Sequence, residues 1–237
     1  MIPLKDTIQS HTFPVVNITL IAINSFMFLV EIWLGPQLQQ FIQVFGVIPA
    51  RYFELAQTDP GNVIGRFLPI FTSMFLHGGW VHIIGNMWFL WIFGDNVEDR
   101  MGHVRYLIFY LLSGIGAALF HIYMNPTSTV PTIGASGAIS GVMGAYFLFF
   151  PASRIITLVP IFFFVEIIEL PALLFIGYWI ILQFFGGAIA LSAAHQAGGV
   201  AWWAHVGGFL TGMVLAPFFK QARHKRLVVH PHQYFPW

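Results

Sequence analysis

The sequence predicts an all-α membrane protein, a bundle of six transmembrane helices with both termini cytoplasmic. Three observations carry that prediction. Of 237 residues, 57% are hydrophobic and only 8% are charged, against about 25% charged in soluble domains. The mean hydropathy is +0.77, and the apolar residues gather into runs near the roughly 20 residues that cross a bilayer core. Threaded through six spans, eight of the ten Lys and Arg residues fall on one side, which the positive-inside rule makes the cytoplasmic one.

Composition also narrows the chemistry. A net charge of +1 gives no reason to expect nucleic acid, and the absence of Cys excludes disulfides, thiol catalysis and Cys-zinc sites. The lipid bilayer is the one environment that the composition demands, and a bacterial plasma (inner) membrane is the expected location.

Taken in order, Met1 to Thr12 is a short polar leader, and Pro14 to Leu34 is the first span, with Glu31 close enough to its end to reach the interface. That run lacks the basic leader and small-residue cleavage site of a signal peptide, so it reads as retained. Gly35 to Ser73 carries Arg51, Glu54, Asp59, Arg66 and the turn signals Pro36, Pro49 and Asp59-Pro60-Gly61, which predicts short helices folded back onto the bilayer surface. Met74 to Phe93 is the second span, Gly94 to His103 a charged turn, Val104 to Met124 the third span, and Ile133 to Phe150 the fourth. Pro160, Glu166 and Glu169 interrupt Ile155 to Leu170. About ten continuous apolar residues remain there, too few to cross, which predicts a re-entrant or interfacial segment. Ala172 to Leu191 is the fifth span, Ser192 to Val200 a small polar loop, and Ala201 to Phe219 the sixth span. Residues 1–219 thus form one membrane domain, and Lys220 to Trp237 a basic, disordered tail.

Parity ties this threading to chemistry. Spans two, four and six all start on the outer side, so His82, Ser136 and His205 lie at similar depth, given about 1.5 Å of rise per residue. Polar groups inside a membrane are expensive and tend to be functional. Gly134-Ala135-Ser136-Gly137-Ala138 has two readings, close helix packing through small residues or a nucleophilic serine with room for a substrate carbonyl. His205, in Ala204-His205-Val206-Gly207-Gly208, tips the balance by supplying a base. The pairs Gly137/Gly141 and Gly208/Gly212 give spans four and six matching small-residue faces. His82 and Asn86 stand at i and i+4 on one helix face and can point together at a developing oxyanion, with the Ser136 backbone N–H as a third donor at a helix N-terminus. No Asp or Glu sits at that depth in spans four or six, so a Ser-His dyad is expected and no triad.

Through His77-Gly78-Gly79, the His82-x-x-x-Asn86 pair, Gly134-Ala135-Ser136-Gly137 and Ala204-His205-Val206-Gly207-Gly208, over Thr72 to Gly212, the chain resembles the rhomboid family of intramembrane serine proteases. The resemblance implies that Ser136 is the nucleophile and His205 the general base, with His82, Asn86 and backbone at Ser136 and Ala135 around the oxyanion. It implies transmembrane protein substrates cut near the outer membrane boundary, no metal and no small-molecule cofactor. It also implies that the fifth span and the Ser192 to Val200 loop serve as gate and cap. Two departures stand out: Leu68-Pro69 occupies the place of a Trp-Arg pair found in many relatives, and Ser140 replaces a Tyr that stacks on the histidine in some.

The remaining polar residues have plainer readings. His77 reads as structural or interfacial, His121 and His195 as boundary or loop residues, and Ser113 and Ser140 as backbone-bonded packing residues. A zinc protease would need H-E-x-x-H, and His82-Ile83-Ile84-Gly85-Asn86 offers no Glu. An aspartyl protease would need two facing intramembrane Asp residues, and Asp95 lies in the charged turn. A transporter would show repeats or deep charges. A catalytically inactive rhomboid-like binding protein is the closer alternative, although the presence of both Ser136 and His205 speaks against it.

Overall fold

The computed structural model describes residues 1–161, 164–192 and 200–221. The expected loop residues 193–199, His195 among them, and the expected disordered tail from 222 onward lie outside the described residues. The first span is helix α1 (Val15–Leu34). Its opening N–H groups have no cap of their own and are held from across the fold by the Glu98 carboxylate, at 3.0 Å from Val16 and 2.7 Å from Asn17. Three short helices follow, α2 (Leu38–Phe45), α3 (Pro49–Thr58) and α4 (Val63–Thr72), as the turn signals of that segment predict.

Helix α5 (Trp80–Met101) departs from the expected second span. Met74 belongs instead to a short 3-10 turn, Ser73–Phe75, and the chain bends by 78° between Val63–Phe75 and Trp80–Met101. The expected charged turn is helical as far as Met101, because Glu98, the partner of α1, is fully buried there. The helix stops at Gly102, whose φ of +81° suits glycine. After it come α6 (His103–Met124), α7 (Ser136–Phe149), α8 (Ala172–Ser192) and α9 (Trp202–Phe219).

Among the described residues, three stretches are long and apolar enough to cross a membrane: Val15–Phe45, His103–Met124 and Ala172–Leu191. The bent pair adds a fourth if taken as one span, and α7 is a shorter apolar helix.

The all-α expectation needs one correction. Ile155 to Leu170, expected as a re-entrant or interfacial segment, folds as two antiparallel strands, β2 (Arg154–Ile161) and β3 (Phe164–Pro171). The polar leader adds β1 (Ile2–Asp6), giving an antiparallel sheet in the order β1-β2-β3. Ile2 pairs with Leu158 and Asp6 with Ile155, while Arg154 pairs with Pro171 across the hairpin. β-Branched residues (Ile155, Ile156, Thr157, Val159) favour the pleated form, and the sheet satisfies backbone groups that a loop dipping into lipid would leave bare.

Helix α7 is the axis of the fold, buried without a break from Gly137 to Tyr146, and it packs most heavily on α9 and α6. Its contact with α9 runs through glycines. A Cβ on Gly208 would collide with the Gly137 carbonyl oxygen, and one on Gly212 with that of Gly141. The two small-residue faces thus meet backbone to backbone.

Candidate active site

Ser136 is the first residue of α7, so the loop before it decides where its hydroxyl points. That loop is pinned twice. Val47 and Thr132 exchange backbone hydrogen bonds at 3.0 and 2.7 Å, and the Gly134 N–H donates to the Ser73 carbonyl at 2.8 Å. Gly134 takes φ +129°, and a Cβ there would lie 2.6 Å from the His82 Nε2. Both facts require glycine at that place. Ser140, one turn on, donates to the Ser136 carbonyl at 2.6 Å, a packing role.

His205 is the fourth residue of α9, and its Nε2 lies 2.8 Å from the Ser136 Oγ. Both residues are half-buried. They open onto a cavity of about 1230 Å³ that His82, Asn86, Met143 and Trp179 also line. The glycine contact between α7 and α9 is what brings two side chains 69 positions apart into hydrogen-bond range.

On α5, the Gly78 N–H donates to the His82 Nδ1 at 3.3 Å. A ring nitrogen that accepts carries no hydrogen, so the proton of a neutral His82 sits on Nε2, on the side of Gly134. One turn later the Asn86 Nδ2 is buried with no hydrogen-bond partner. A buried donor left unpaired costs about 1–3 kcal/mol, and this one lines the cavity that holds Ser136. The structure therefore brings all four sequence-predicted residues, Ser136, His205, His82 and Asn86, to one cavity, with the first two in hydrogen-bond contact.

Two other histidines lie in the frame around the cavity. His121 sits with its Nε2 3.0 Å from the Thr132 hydroxyl, bracing the loop before Ser136. His77 is buried, packs edge-on against His82 at 5.2 Å, and its backbone N–H is gripped by both Glu31 carboxylate oxygens at 2.9 and 3.1 Å. The sequence places Glu31 within reach of the interface; the structure buries it on α1 with this N–H as its partner. Among the described residues no three His, Asp or Glu side chains converge as a metal ion would require.

One contact escaped the sequence reading. The His205 Nδ1 lies 2.7 Å from the Gln183 Oε1 on α8, and the Trp179 ring lies 5.8 Å from the imidazole at 35°. The available signal was Gln183 itself, the lone amide in an otherwise apolar span.

Compared with known proteins, residues 65–222 match the family described as Rhomboid domain. The chain is 27% identical over 214 residues to Rhomboid protein 1, mitochondrial, of Saccharomyces cerevisiae, covering 87% of this chain and 54% of that protein. It is 29% identical over 191 residues to Presenilin-associated rhomboid-like protein A, mitochondrial, of Danio rerio, covering 76% and 42%. It is 40% identical over 70 residues to Rhomboid-like protein 11, chloroplastic, of Arabidopsis thaliana, covering 30% and 25%. The chain spans about half the length of the first two. The expectation of a bacterial plasma membrane is corrected by these matches, since the relatives that cover most of the chain are mitochondrial by name. The physical reason for the error is simple: hydropathy reports the hydrocarbon core, which all bilayers share.

Proposed function

Because the chain belongs to the rhomboid family, we propose that it is an intramembrane serine endopeptidase that cleaves transmembrane segments of membrane proteins. The observation that carries this reading is the 2.8 Å contact between the Ser136 Oγ and the His205 Nε2 within a cavity also lined by His82 and Asn86. In the proposed reaction the His205 Nε2 takes the Ser136 hydroxyl proton as Oγ attacks the scissile carbonyl carbon. The carbonyl oxygen becomes an oxyanion that accepts from the His82 Nε2–H, the Asn86 Nδ2–H and the Ser136 backbone N–H. Collapse breaks the C–N bond, and the imidazolium returns its proton to the leaving amine. Water, deprotonated by the same nitrogen, then hydrolyses the acyl-enzyme and restores Ser136.

The proposed topology is six crossings, made by α1, α5, α6, α7, α8 and α9, with both termini on the Lys/Arg-rich side. Two contacts support it. β1 pairs with β2 just after α7, and the Gln221 N–H at the end of α9 donates to the Arg100 carbonyl near the end of α5. The catalytic residues belong to the opposite end of the bundle, so cleavage is proposed near that membrane boundary.

Labelling by a fluorophosphonate probe in detergent tests the reading. Wild type is expected to label, and neither Ser136→Ala nor His205→Ala, each still folded. Folded wild-type protein that stays unlabelled would point instead to a binding protein, and labelling that survives Ser136→Ala would mean a different nucleophile.

A further inference from the structure

The bond between Gln183 and His205 has a direction that can be derived. The Gln183 Nε2 lies 3.1 Å from the Trp179 carbonyl oxygen, an atom that can only accept. The amide NH₂ group must therefore face Trp179, which turns the Oε1 toward His205, 2.7 Å from its Nδ1. An amide oxygen also only accepts, so the hydrogen of a neutral imidazole must sit on Nδ1. The Nε2 lone pair is then left facing the Ser136 hydroxyl, which is the tautomer a general base needs.

Resting on the protease reading above, we propose that Gln183 is the positioning residue of the base: α9 supplies the imidazole, and α8 sets its tautomer and orientation. Two observations say that this bond depends on how α8 is seated. Gln183 and Trp179 are one turn apart on a single face of α8 and together cradle the ring. Elsewhere α8 presents much of its surface outward, with Leu174, Ile181, Phe184, Phe185 and Ile189 all more than half exposed. Displacing α8 from α9 would remove the acceptor from Nδ1 and let the imidazole sample the opposite tautomer, in which Nε2 carries the hydrogen and cannot take another. The seating of α8 is thus a condition for activating Ser136. A neutral amide can fix the ring in this way but, unlike a carboxylate, adds no formal charge beside the imidazolium.

The test compares wild type, Gln183→Met and Gln183→Glu in detergent. It uses the rate of fluorophosphonate labelling, thermal unfolding, and the ¹⁵N shifts of His205 assigned against His205→Ala. Gln183→Met, matched in length but without an acceptor oxygen, is expected to label about 10- to 100-fold more slowly, by analogy with the loss when a metal-bound histidine loses the partner on its other ring nitrogen. Its unfolding transition should stay in place, and its His205 shifts should move toward a mixture of tautomers. Gln183→Glu, which keeps an acceptor, is expected to recover most of the rate and the Nδ1–H signature. Labelling of Gln183→Met at the wild-type rate, or His205 shifts unchanged by it, would overturn the proposal and leave Gln183 a packing residue. Equal losses in the Met and Glu variants would also overturn it, because an acceptor oxygen facing Nδ1 would then not be what His205 requires. Failure of the protease reading itself would show in other samples, as absent labelling of wild type or labelling that survives Ser136→Ala.

Discussion

The contact between α7 and α9 and the contact between α8 and α9 build the same site from opposite kinds of packing. Between α7 and α9 the backbones touch. Glycines on both sides leave no side chain to yield, and the interface is buried along its length. Between α8 and α9 the contact is glycine on ring, with Gly186 against Trp202 and Gly187 against Trp203, and about half of the α8 residues face outward. The first contact fixes the distance from the Ser136 hydroxyl to the His205 imidazole. The second fixes which nitrogen of the base carries the hydrogen. Rigid packing suits a distance that must never change, and a looser seat suits a helix whose position is proposed to control the imidazole.

The sharpest way to break this contrast is Gly208→Leu. Its Cβ would meet the Gly137 carbonyl, a backbone atom that cannot swing away. The loss of stability is expected to exceed the ~1–3 kcal/mol usual for overpacking, and labelling should vanish with the fold. Thermal unfolding in detergent reads this directly. A Gly208→Leu protein that unfolds like wild type would mean that the backbones are not in contact.

Next in size is the pair facing the seam. His82→Ala and Asn86→Ala are each expected to slow cleavage of a transmembrane substrate, by up to about 10²–10³ where one donor carries most of the oxyanion stabilisation. Asn86→Ala should separate activity from stability. It removes a buried donor that has no partner, so the protein should unfold no earlier than wild type and could gain about 1 kcal/mol. Unchanged turnover in the double variant would remove both residues from the oxyanion site.

A smaller effect is expected at the α8 contact. In Gly187→Leu the new side chain starts 2.8 Å from the Trp203 ring, so α8 must lift. Labelling should slow roughly tenfold, because small misplacements of catalytic groups already cost that much, while the unfolding transition hardly moves. Loss of the fold in this variant would make the two contacts alike and erase the contrast.

Much of this arrangement was legible in the sequence because it is local. Small residues four apart, His82 and Asn86 on one face, and Ser136 beside a glycine each declare themselves within a few positions. What was not legible depends on partners far along the chain. The leader could not be read as a strand because Ile2 finds its mate at Leu158. The charged end of α5 looked like a solvated turn because nothing nearby reveals that Glu98 caps α1. Glu31 looked like an interfacial residue because its partner is a backbone N–H 46 positions away. Gln183 belongs to no motif, and it acquires meaning only once α9 sets a histidine against it.

The smallest effect lies at the far end of α7, where the Tyr146 hydroxyl donates to Asp6 at 2.6 Å and the Asn96 side-chain amide donates to the same oxygen at 2.9 Å. Burial pushes the Asp6 carboxyl up from 3.8 to about 6, more than the hydrogen bonds from Tyr146 and from the Asp6 and Ile8 backbone pull it down, with Asp95 adding to the rise. The folded chain then holds this proton more tightly than the unfolded one. Between pH 4 and 6 the folded state binds more protons, so stability falls as pH rises through that window and is level on either side. Asp6→Asn keeps an oxygen to accept from Tyr146 and removes the charge that burial disfavours. Its Tm at pH 7.5 is expected to exceed that of wild type by a few degrees, since about 1 kcal/mol corresponds to roughly 2–4 °C in a chain of this length. Near pH 4 the two should unfold together, and labelling of Ser136 should be the same in both. A lower Tm for Asp6→Asn at pH 7.5 would mean that the ionised carboxylate strengthens the bond to Tyr146 by more than its burial costs, and that β1 is held to α7 by charge.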